Sequence, residues 1–259
     1  MKRVYFSIIC IAAFLFVKCK NQETNSLLLE KQKEVKSLVS SLLLYPDSAG
    51  LRVIIANKSD SIGDYKSALL QLDTLLQNDS TKYGLWATKA NIFQDSGNIA
   101  EAKYYLYKAI SIYPGNEALM SLSEMLANEK NDSCLLIAKR FNDQSNAYAD
   151  YISALYFYNK NDLQKADSSA GKSILHNHDF VKPYLLKANI LQHKNNTNEA
   201  LQLMKEALLI EPKNIALLNE TANIYTQYNR RDSAAIYFNQ SLAIQPYQPK
   251  ISEKLKLLK

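Results

Sequence analysis

A short motif recurs along this chain at intervals of 34 residues. The tripeptide Ala-Asn-Ile stands at residues 90–92, 188–190 and 222–224; its last two copies are 34 residues apart, and Asn57 precedes Asn91 by the same 34 residues. Self-similarity at a fixed period of this length is typical of repeat architectures, in which each supersecondary unit buries its apolar face against its neighbours. The recurrence therefore predicts a stacked array of similar units with no single central core.

Alanine fills two columns of the repeat when Tyr83 is taken as the first position of one unit. The eighth position is Ala56, Ala90, Ala154, Ala188 and Ala222. The twentieth position is Ala68, Ala102, Ala166, Ala200 and Ala234. A larger side chain in either column would force two elements apart, at a cost of about 1–3 kcal/mol. The columns predict two closely packed helices in each unit.

Turn residues recur with the same period. The fifteenth position is Gly63, Gly97, Asn161, Asn195 and Asn229. Gly and Asn tolerate the left-handed backbone conformation that ends a helix. Prolines that cannot continue a helix follow the second helix of several units, or the helix before the first unit, at Pro46, Pro114, Pro212 and Pro246. Only 6 Gly and 6 Pro occur in 259 residues, too few turn residues for a many-stranded β fold, so the chain is predicted to be all-α.

These columns together resemble the tetratricopeptide repeat (TPR), a helix-turn-helix unit of about 34 residues. The resemblance implies an α-α superhelix of about six helical-hairpin repeats. The predicted units are 49–82, 83–116, 117–146, 147–180, 181–214 and 215–248. An N-terminal helix at 26–48 and a C-terminal capping helix at 249–259 flank them.

The unit at 117–146 is degenerate and has only 30 residues. Glu124 stands where a small residue is expected. We predict a second helix from Ser133 to Phe141, with Cys134 as its small packing residue and the missing residues lost from the turns. Two interpretations stay open: a degenerate repeat that still stacks, or a local change of superhelical pitch.

The N-terminal segment predicts export. Lys2 and Arg3 precede an apolar run of fourteen residues at 4–17, which is the length of a signal-peptide core and short of a membrane span. The following Cys19 makes the segment resemble a bacterial lipoprotein signal (1–18), with 19–25 as a tether. Lys18 departs from that pattern, because Gly, Ala or Ser normally precedes the lipidated cysteine. Lipidation of Cys19 is the favoured interpretation; an uncleaved anchor and an ordinary cleaved signal are the alternatives. We expect a location in the bacterial cell envelope, as an outer-membrane lipoprotein facing the periplasm or the cell surface.

The TPR resemblance also implies a groove for a protein or peptide partner, lined by positions two, five, nine, twelve and thirteen of each first helix. Position nine is Asn57, Asn91, Asn189 and Asn223. An Asn amide both donates and accepts hydrogen bonds, so a row of them can pair with an extended peptide backbone. The alternative is that these amides are solvated or bond locally.

The unit at 147–180 carries an aromatic stripe at the same face. Its members, at helical spacing, are Tyr148, Tyr151, Leu155 and Tyr158. Exposed tyrosines are typical binding anchors, but such a stripe is more often part of a core, and packing is the favoured interpretation. Lys182, Gln192 and His193 are predicted to complete the wall beside it.

No pattern in the sequence indicates an enzyme, a cofactor or a metal. The segment 170–173 (Ala-Gly-Lys-Ser) lacks the first glycine of a phosphate-binding loop and falls in mid-helix. His176, His178 and His193 lack a fourth zinc ligand. Without Lys2, Arg3 and Lys18, 28 basic and 25 acidic residues remain, scattered in a way that disfavours nucleic-acid binding. We predict a non-catalytic scaffold; the alternatives are an accessory component of a glycan- or peptide-processing system and a structural subunit that uses its opposite face.

Overall fold

Helices account for nearly all of the regular structure in the computed structural model, which describes residues 26, 28–141, 146–246 and 248–258. The described chain divides after Tyr113 into two compact units. The helices of unit 1 are α1 (28–44), α2 (Ala49–Ser61), α3 (Tyr65–Asn78), α4 (Tyr83–Asp95) and α5 (Ile99–Ile112). Unit 2 comprises α6 (Asn116–Asn128), α7 (Ser133–Ala138), α8 (Ala147–Asn159), α9 (Leu163–His176), α10 (Lys182–His193), α11 (Thr197–Ile210), α12 (Ile215–Gln227), α13 (Arg231–Ile244) and α14 (Pro249–Leu257).

Consecutive helices pack as antiparallel pairs, and each pair packs on the next within its unit. All ten alanines of the two columns are completely buried at the contact inside the pairs, as predicted. Larger apolar side chains fill the space around them; in unit 2, Met204, Leu217 and Ile224 join the alanines of α10 and α11 in one cluster. Among the helices of the described residues, none is both long and apolar enough to cross a membrane.

The turn inside each regular pair has two parts. The predicted glycines and asparagines all adopt a positive φ, between 55° at Asn229 and 82° at Gly97. The next residue caps the second helix in three of the pairs: its side chain accepts a hydrogen bond from a backbone N–H three residues on at Asp64, Asn98 and Asp162. One residue therefore ends the first helix and its neighbour starts the second.

The third pair begins one residue earlier than the predicted register. Asn116 starts α6, and Ser123, not Glu124, occupies the completely buried small position. Glu124 turns to the half-exposed side of the helix and forms an ion pair with Lys182. The left-handed turn residue is Lys130, with φ of 59°. The placement of Glu124 in the small column was wrong, because a carboxylate cannot fill a dry helix contact when a hydroxyl one residue away can.

The second helix of the third pair is also shorter than predicted. It ends at Ala138, because the amides of Arg140 and Phe141 bond to carbonyls three residues back and tighten the chain into a turn. The third pair is therefore short because α7 has only 6 residues. The prediction that its turns had lost residues was wrong. Cys134 is completely buried, as predicted, and burial raises the pKa of its thiol to about 11. The pair still packs, since α6 contacts both α7 and α8.

Two carboxylates meet on the surface of unit 1. Asp60, in the last turn of α2, lies beside Asp95, the last residue of α4. Partial burial, the negative charge of Asp95 and a hydrogen bond to it raise the pKa of the Asp60 carboxyl. The folded chain therefore binds this proton more tightly than the unfolded chain does, and the contact weakens the fold once both groups ionise.

Enlarging an alanine of the column should destabilise unit 2. We expect Ala188→Leu to lower the free energy of unfolding by about 1–3 kcal/mol through overpacking, measured by urea denaturation followed by circular dichroism. Ala216→Leu, at an exposed position of α12, is the matched control and should change stability little. Equal effects of the two substitutions would contradict the helix contact.

Neutralising Asp60 should stabilise the fold in a pH-dependent way. Because the folded pKa is raised above 3.8, the favourable protonated contact is complete below that pH and is lost as pH rises through the folded pKa. We expect Asp60→Asn to raise the free energy of unfolding at neutral pH by at most about 1 kcal/mol, since the pair is partly exposed. The stabilisation by Asp60→Asn should vanish in acid. Asp47→Asn, at an exposed position, should leave the free energy of unfolding unchanged at both pH values.

Candidate protein-binding surface

Three first helices of unit 2 carry polar side chains into one open depression. It has a volume of about 320 Å³ and is lined by Tyr158 of α8, Asn189, Gln192 and His193 of α10, and Glu220 and Gln227 of α12. We call this the C-terminal depression. Four of its six residues are among the predicted groove residues. The helices bring them together because their positions nine, twelve and thirteen face the same side of neighbouring pairs.

A chain of hydrogen bonds runs along the floor of the C-terminal depression. Gln192 Nε2 donates to Glu220 Oε1 at 3.0 Å and makes a longer contact of 3.4 Å to Asn189 Oδ1. On the wall, Tyr158 Oη lies 3.0 Å from His193 Nε2, with the two rings edge-to-face. Burial, and then the charge of Glu220, raise the pKa of the Tyr158 phenol. The polar groups are thus held by one another.

Glu220 also lines an adjoining depression of about 450 Å³. That depression is lined by Glu220, Asn223, Thr226, Gln227, Asn229, Arg231, Lys254, Leu257 and Leu258. Asn223 Nδ2 donates to Glu220 Oε2 at 3.2 Å, and Asn223 Oδ1 accepts from Lys254 Nζ at 2.7 Å. Asn223, predicted as a groove residue, therefore links the acidic Glu220 to the capping helix α14.

Sequence reasoning missed Glu220 and Gln227. Gln227 is the thirteenth residue of its unit, a position that the repeat register assigns to the groove, so the register could have found it. Glu220 is the sixth residue, outside the groove positions, and its place at the centre of both depressions follows from how α10 and α12 pack. No signal in the sequence marks it.

Two of the predicted aromatic anchors are packing residues. Tyr151 is 8% exposed, its ring lies edge-on to Phe180 with centroids 5.3 Å apart, and burial and Glu124 raise the pKa of its phenol far above the usual value. The ring centroid of Tyr148 lies 5.7 Å from that of Phe141 and 5.0 Å from that of Phe180. The aromatic cluster thus joins α8 to Phe141 at the end of the shortened third pair, and the prediction of Tyr151 as a groove residue was wrong because its side chain is buried. Leu155 is half-buried beside it.

Lys182 is bound within the chain. Its Nζ lies 2.5 Å from Glu124 Oε1, which joins α10 to α6 over the aromatic cluster. Glu124 is the ninth residue of the third pair when the pair starts at Asn116, so it occupies the position that Asn189 and Asn223 hold elsewhere. This end of the face of unit 2 is closed by an ion pair, in contrast to the C-terminal depression.

Unit 1 presents the other two asparagines of the row. Asn57 on α2 and Asn91 on α4 are both exposed, and neither side chain forms a hydrogen bond with another residue of the described ranges. Their amide groups are open to solvent, whereas the amides of Asn189 and Asn223 take part in hydrogen bonds within unit 2. Asp60 and Asp95 lie one turn further along the same helices.

Within the described ranges, no group of three or more His, Cys, Asp or Glu side chains is placed to hold a metal. His176 Nδ1 lies 2.8 Å from Asp150 Oδ2 in an ion-pair geometry, away from His193. Residues 170–173 are inside α9. Cys19 and the rest of the proposed signal and tether lie outside the described residues.

The family model of the tetratricopeptide repeat matches residues 83–116 and 181–214. No curated protein matches the chain in sequence. Solved structures share the fold at low identity. A tetratricopeptide repeat protein from Parabacteroides merdae is 15% identical, with a TM-score of 0.67 over 86% of this chain and 90% of that one.

Two further structures are similar over most of this chain. Yeast Tom70 is 15% identical, with a TM-score of 0.58, and the match covers 89% of this chain and 58% of Tom70. PilW, a type IV pilus biogenesis factor, is 16% identical, with a TM-score of 0.55 over 81% of this chain and 99% of PilW. Two repeats of this chain, 83–116 and 181–214, thus match the tetratricopeptide repeat model, and the described residues share the α-solenoid fold of a tetratricopeptide repeat protein of known structure.

Proposed function

We propose that this chain is a non-catalytic scaffold of the bacterial cell envelope that binds an extended segment of a partner protein along its first helices. Tetratricopeptide repeat proteins in general serve as protein–protein interaction scaffolds. The observation that carries the proposal for this chain is the C-terminal depression, where amide, carboxylate and phenol groups of three helices converge in an open site.

The chemistry of the surface suits a peptide backbone. Asn189, Gln192 and Gln227 each carry an amide with two donor hydrogens and an acceptor oxygen, so together they can meet both the N–H and the C=O groups of an extended chain. Asn57 and Asn91 supply the same groups on unit 1. Recognition of the backbone by amides leaves the choice of partner to the few charged and aromatic groups between them.

Attachment to the membrane through Cys19 is the second part of the proposal. The six residues from Lys20 to Asn25 reach at most about 20 Å when extended, so the helical units would remain near the membrane surface. Stable anchoring needs more than one acyl chain, which triacylation of the cysteine would supply. An envelope location then restricts the partner to other exported proteins, including those that process glycans or peptides.

A structural subunit that binds through its second helices is the other candidate. Leu209 on α11 is 83% exposed and borders a largely apolar cleft of about 530 Å³ between α11 and α13. The cleft is lined by Lys205, Leu208, Leu209, Pro212, Leu218, Tyr237, Gln240, Ala243 and Ile244. An exposed leucine beside such a cleft is typical of a protein contact.

Removing three amides of the row should abolish partner capture. We expect Asn91, Asn189 and Asn223, replaced together by Ala, to eliminate partners recovered by crosslinking in the native cell and mass spectrometry. Helicity should be unchanged, since Ala favours helix. The matched control replaces exposed asparagines of second helices, Asn78, Asn198 and Asn239, by Ala and should capture normally.

The same assay separates the two candidates. Under the structural-subunit candidate, Leu209→Asn abolishes capture and the triple substitution of groove asparagines does not. Capture that survives the groove substitutions would therefore remove the first-helix face from the function. Circular dichroism would detect a loss of helicity in the triple variant. The three Asn→Ala substitutions would then be tested one at a time in the same capture assay.

Replacing the proposed lipidated cysteine should release the protein from the membrane. We expect wild-type chain in its native host to incorporate radiolabelled palmitate and to sediment with membranes, and Cys19→Ser to do neither. Cys10→Ser, in the same segment, is the control and should retain the label. Membrane association without label in the wild type would instead support an uncleaved anchor, and a soluble unlabelled product an ordinary cleaved signal.

A further inference from the structure

We propose that the C-terminal depression binds an arginine side chain of the partner, with Glu220 as its counter-ion and Tyr158 as its aromatic support. This inference rests on the proposed function, because it specifies which side chain of the bound segment this part of the surface selects. Three features of the depression support it. Glu220 has no cationic partner, its carboxylate is held by two amides, and the ring of Tyr158 lies in the same depression.

Glu220 lacks a cationic partner. Among the residues that the structure describes, no basic side chain forms an ion pair with it, although it is half-buried on α12. Several other carboxylates of unit 2, including the partly buried Glu124 and Asp167, are paired with nearby cations. These pairs are Glu124 with Lys182, Asp167 with Lys187 and Lys194, and Asp132 with Lys160. Lys254 lines the adjoining depression, but its Nζ is hydrogen-bonded to Asn223 Oδ1.

The carboxylate is oriented by one amide on each oxygen. Gln192 donates to Oε1 and Asn223 donates to Oε2 of Glu220. Each carboxylate oxygen has two lone-pair sites, so one site remains on each oxygen. A guanidinium presents two parallel N–H donors at the spacing of a carboxylate, whereas an ammonium acts as a point charge. The remaining acceptors therefore match arginine better than lysine.

The walls of the depression fit the same group. Tyr158 forms one wall, and a planar guanidinium stacks on such a ring through cation–π attraction. Asn189 and Gln227 add neutral acceptors at the edge, which can receive the remaining guanidinium hydrogens. Glu220 is the one acidic side chain among the six lining residues, and none of the six is Lys or Arg, so this side of Glu220 favours a cation.

Decapeptide libraries with a fixed central residue test this assignment. The full chain, purified in detergent, would be immobilised and offered four libraries whose central residue is Arg, Lys, Gln or Glu in randomised flanks. We expect the Arg library to bind roughly tenfold more tightly than the Gln library, as for a bidentate charge-assisted pair, and more tightly than the Lys library. Glu220→Gln, which keeps the size of the side chain, should erase the preference.

Three further variants complete the design. Glu206→Gln removes an equivalent charge from the exposed side of α11 and should leave the preference intact. Tyr158→Leu should weaken Arg-library binding by roughly threefold through loss of the ring, and Tyr158→Phe should preserve it. Circular dichroism of each variant establishes that it is folded, so a loss of preference reports on the site.

The outcomes separate this inference from the proposed function. A wild-type chain that retains none of the libraries would contradict peptide binding itself. Equal retention of all four, equal retention of the Arg and Lys libraries, or an Arg preference that survives Glu220→Gln would overturn the arginine assignment while leaving peptide binding in place. Self-association abolished by Glu220→Gln would assign the depression to a second copy of the chain and would also overturn it.

Discussion

The close contact of two helices through alanine is the constraint from which the rest of this structure follows. With alanine at both sides of the crossing, the two backbones of a pair approach closely, and the larger apolar residues are displaced to the flanks, where they meet the next pair. Each pair thereby buries one side against its own partner and another against its neighbour. Several outward positions of the first helices are left outside this packing, and Tyr158, Asn189, Gln192 and Gln227 of the C-terminal depression stand at such positions.

The sequence predicts this fold well wherever a single residue type is forced by backbone geometry. Alanine at the crossing and Gly or Asn at the left-handed turn have few substitutes, so they recur in columns that can be read without a structure. The third pair escapes this reasoning because it meets the same demands with other residues: Ser123 fills the crossing and Lys130 adopts the left-handed turn. Neither residue is diagnostic, and the neighbouring Glu124 was placed in the wrong column as a result.

The binding surface is less predictable, because the repeat register gives the direction of a side chain but not its neighbours. Tyr151 and Tyr158 both belong to the predicted stripe of α8, yet Tyr151 packs against Phe180 from the loop between α9 and α10, while Tyr158 lines the open depression. The hydrogen bond between Gln192 and Glu220 likewise joins residues of different pairs. Its existence depends on the distance between adjacent first helices, which the packing of whole pairs determines.

The predicted groove amides of the two units differ in what each could contribute to binding. Asn57 and Asn91 are exposed and make no hydrogen bonds with other described residues, so ordering them on a ligand costs side-chain entropy. Asn223 and Gln192 are already held on Glu220, and an incoming group that bonds to the free lone pairs of that carboxylate meets acceptors fixed in place. A preorganised charged site loses little entropy on binding and rejects a neutral group that leaves its carboxylate unpaired. Within unit 2, the C-terminal depression therefore has the preorganised charge that the proposed selection of an arginine side chain requires.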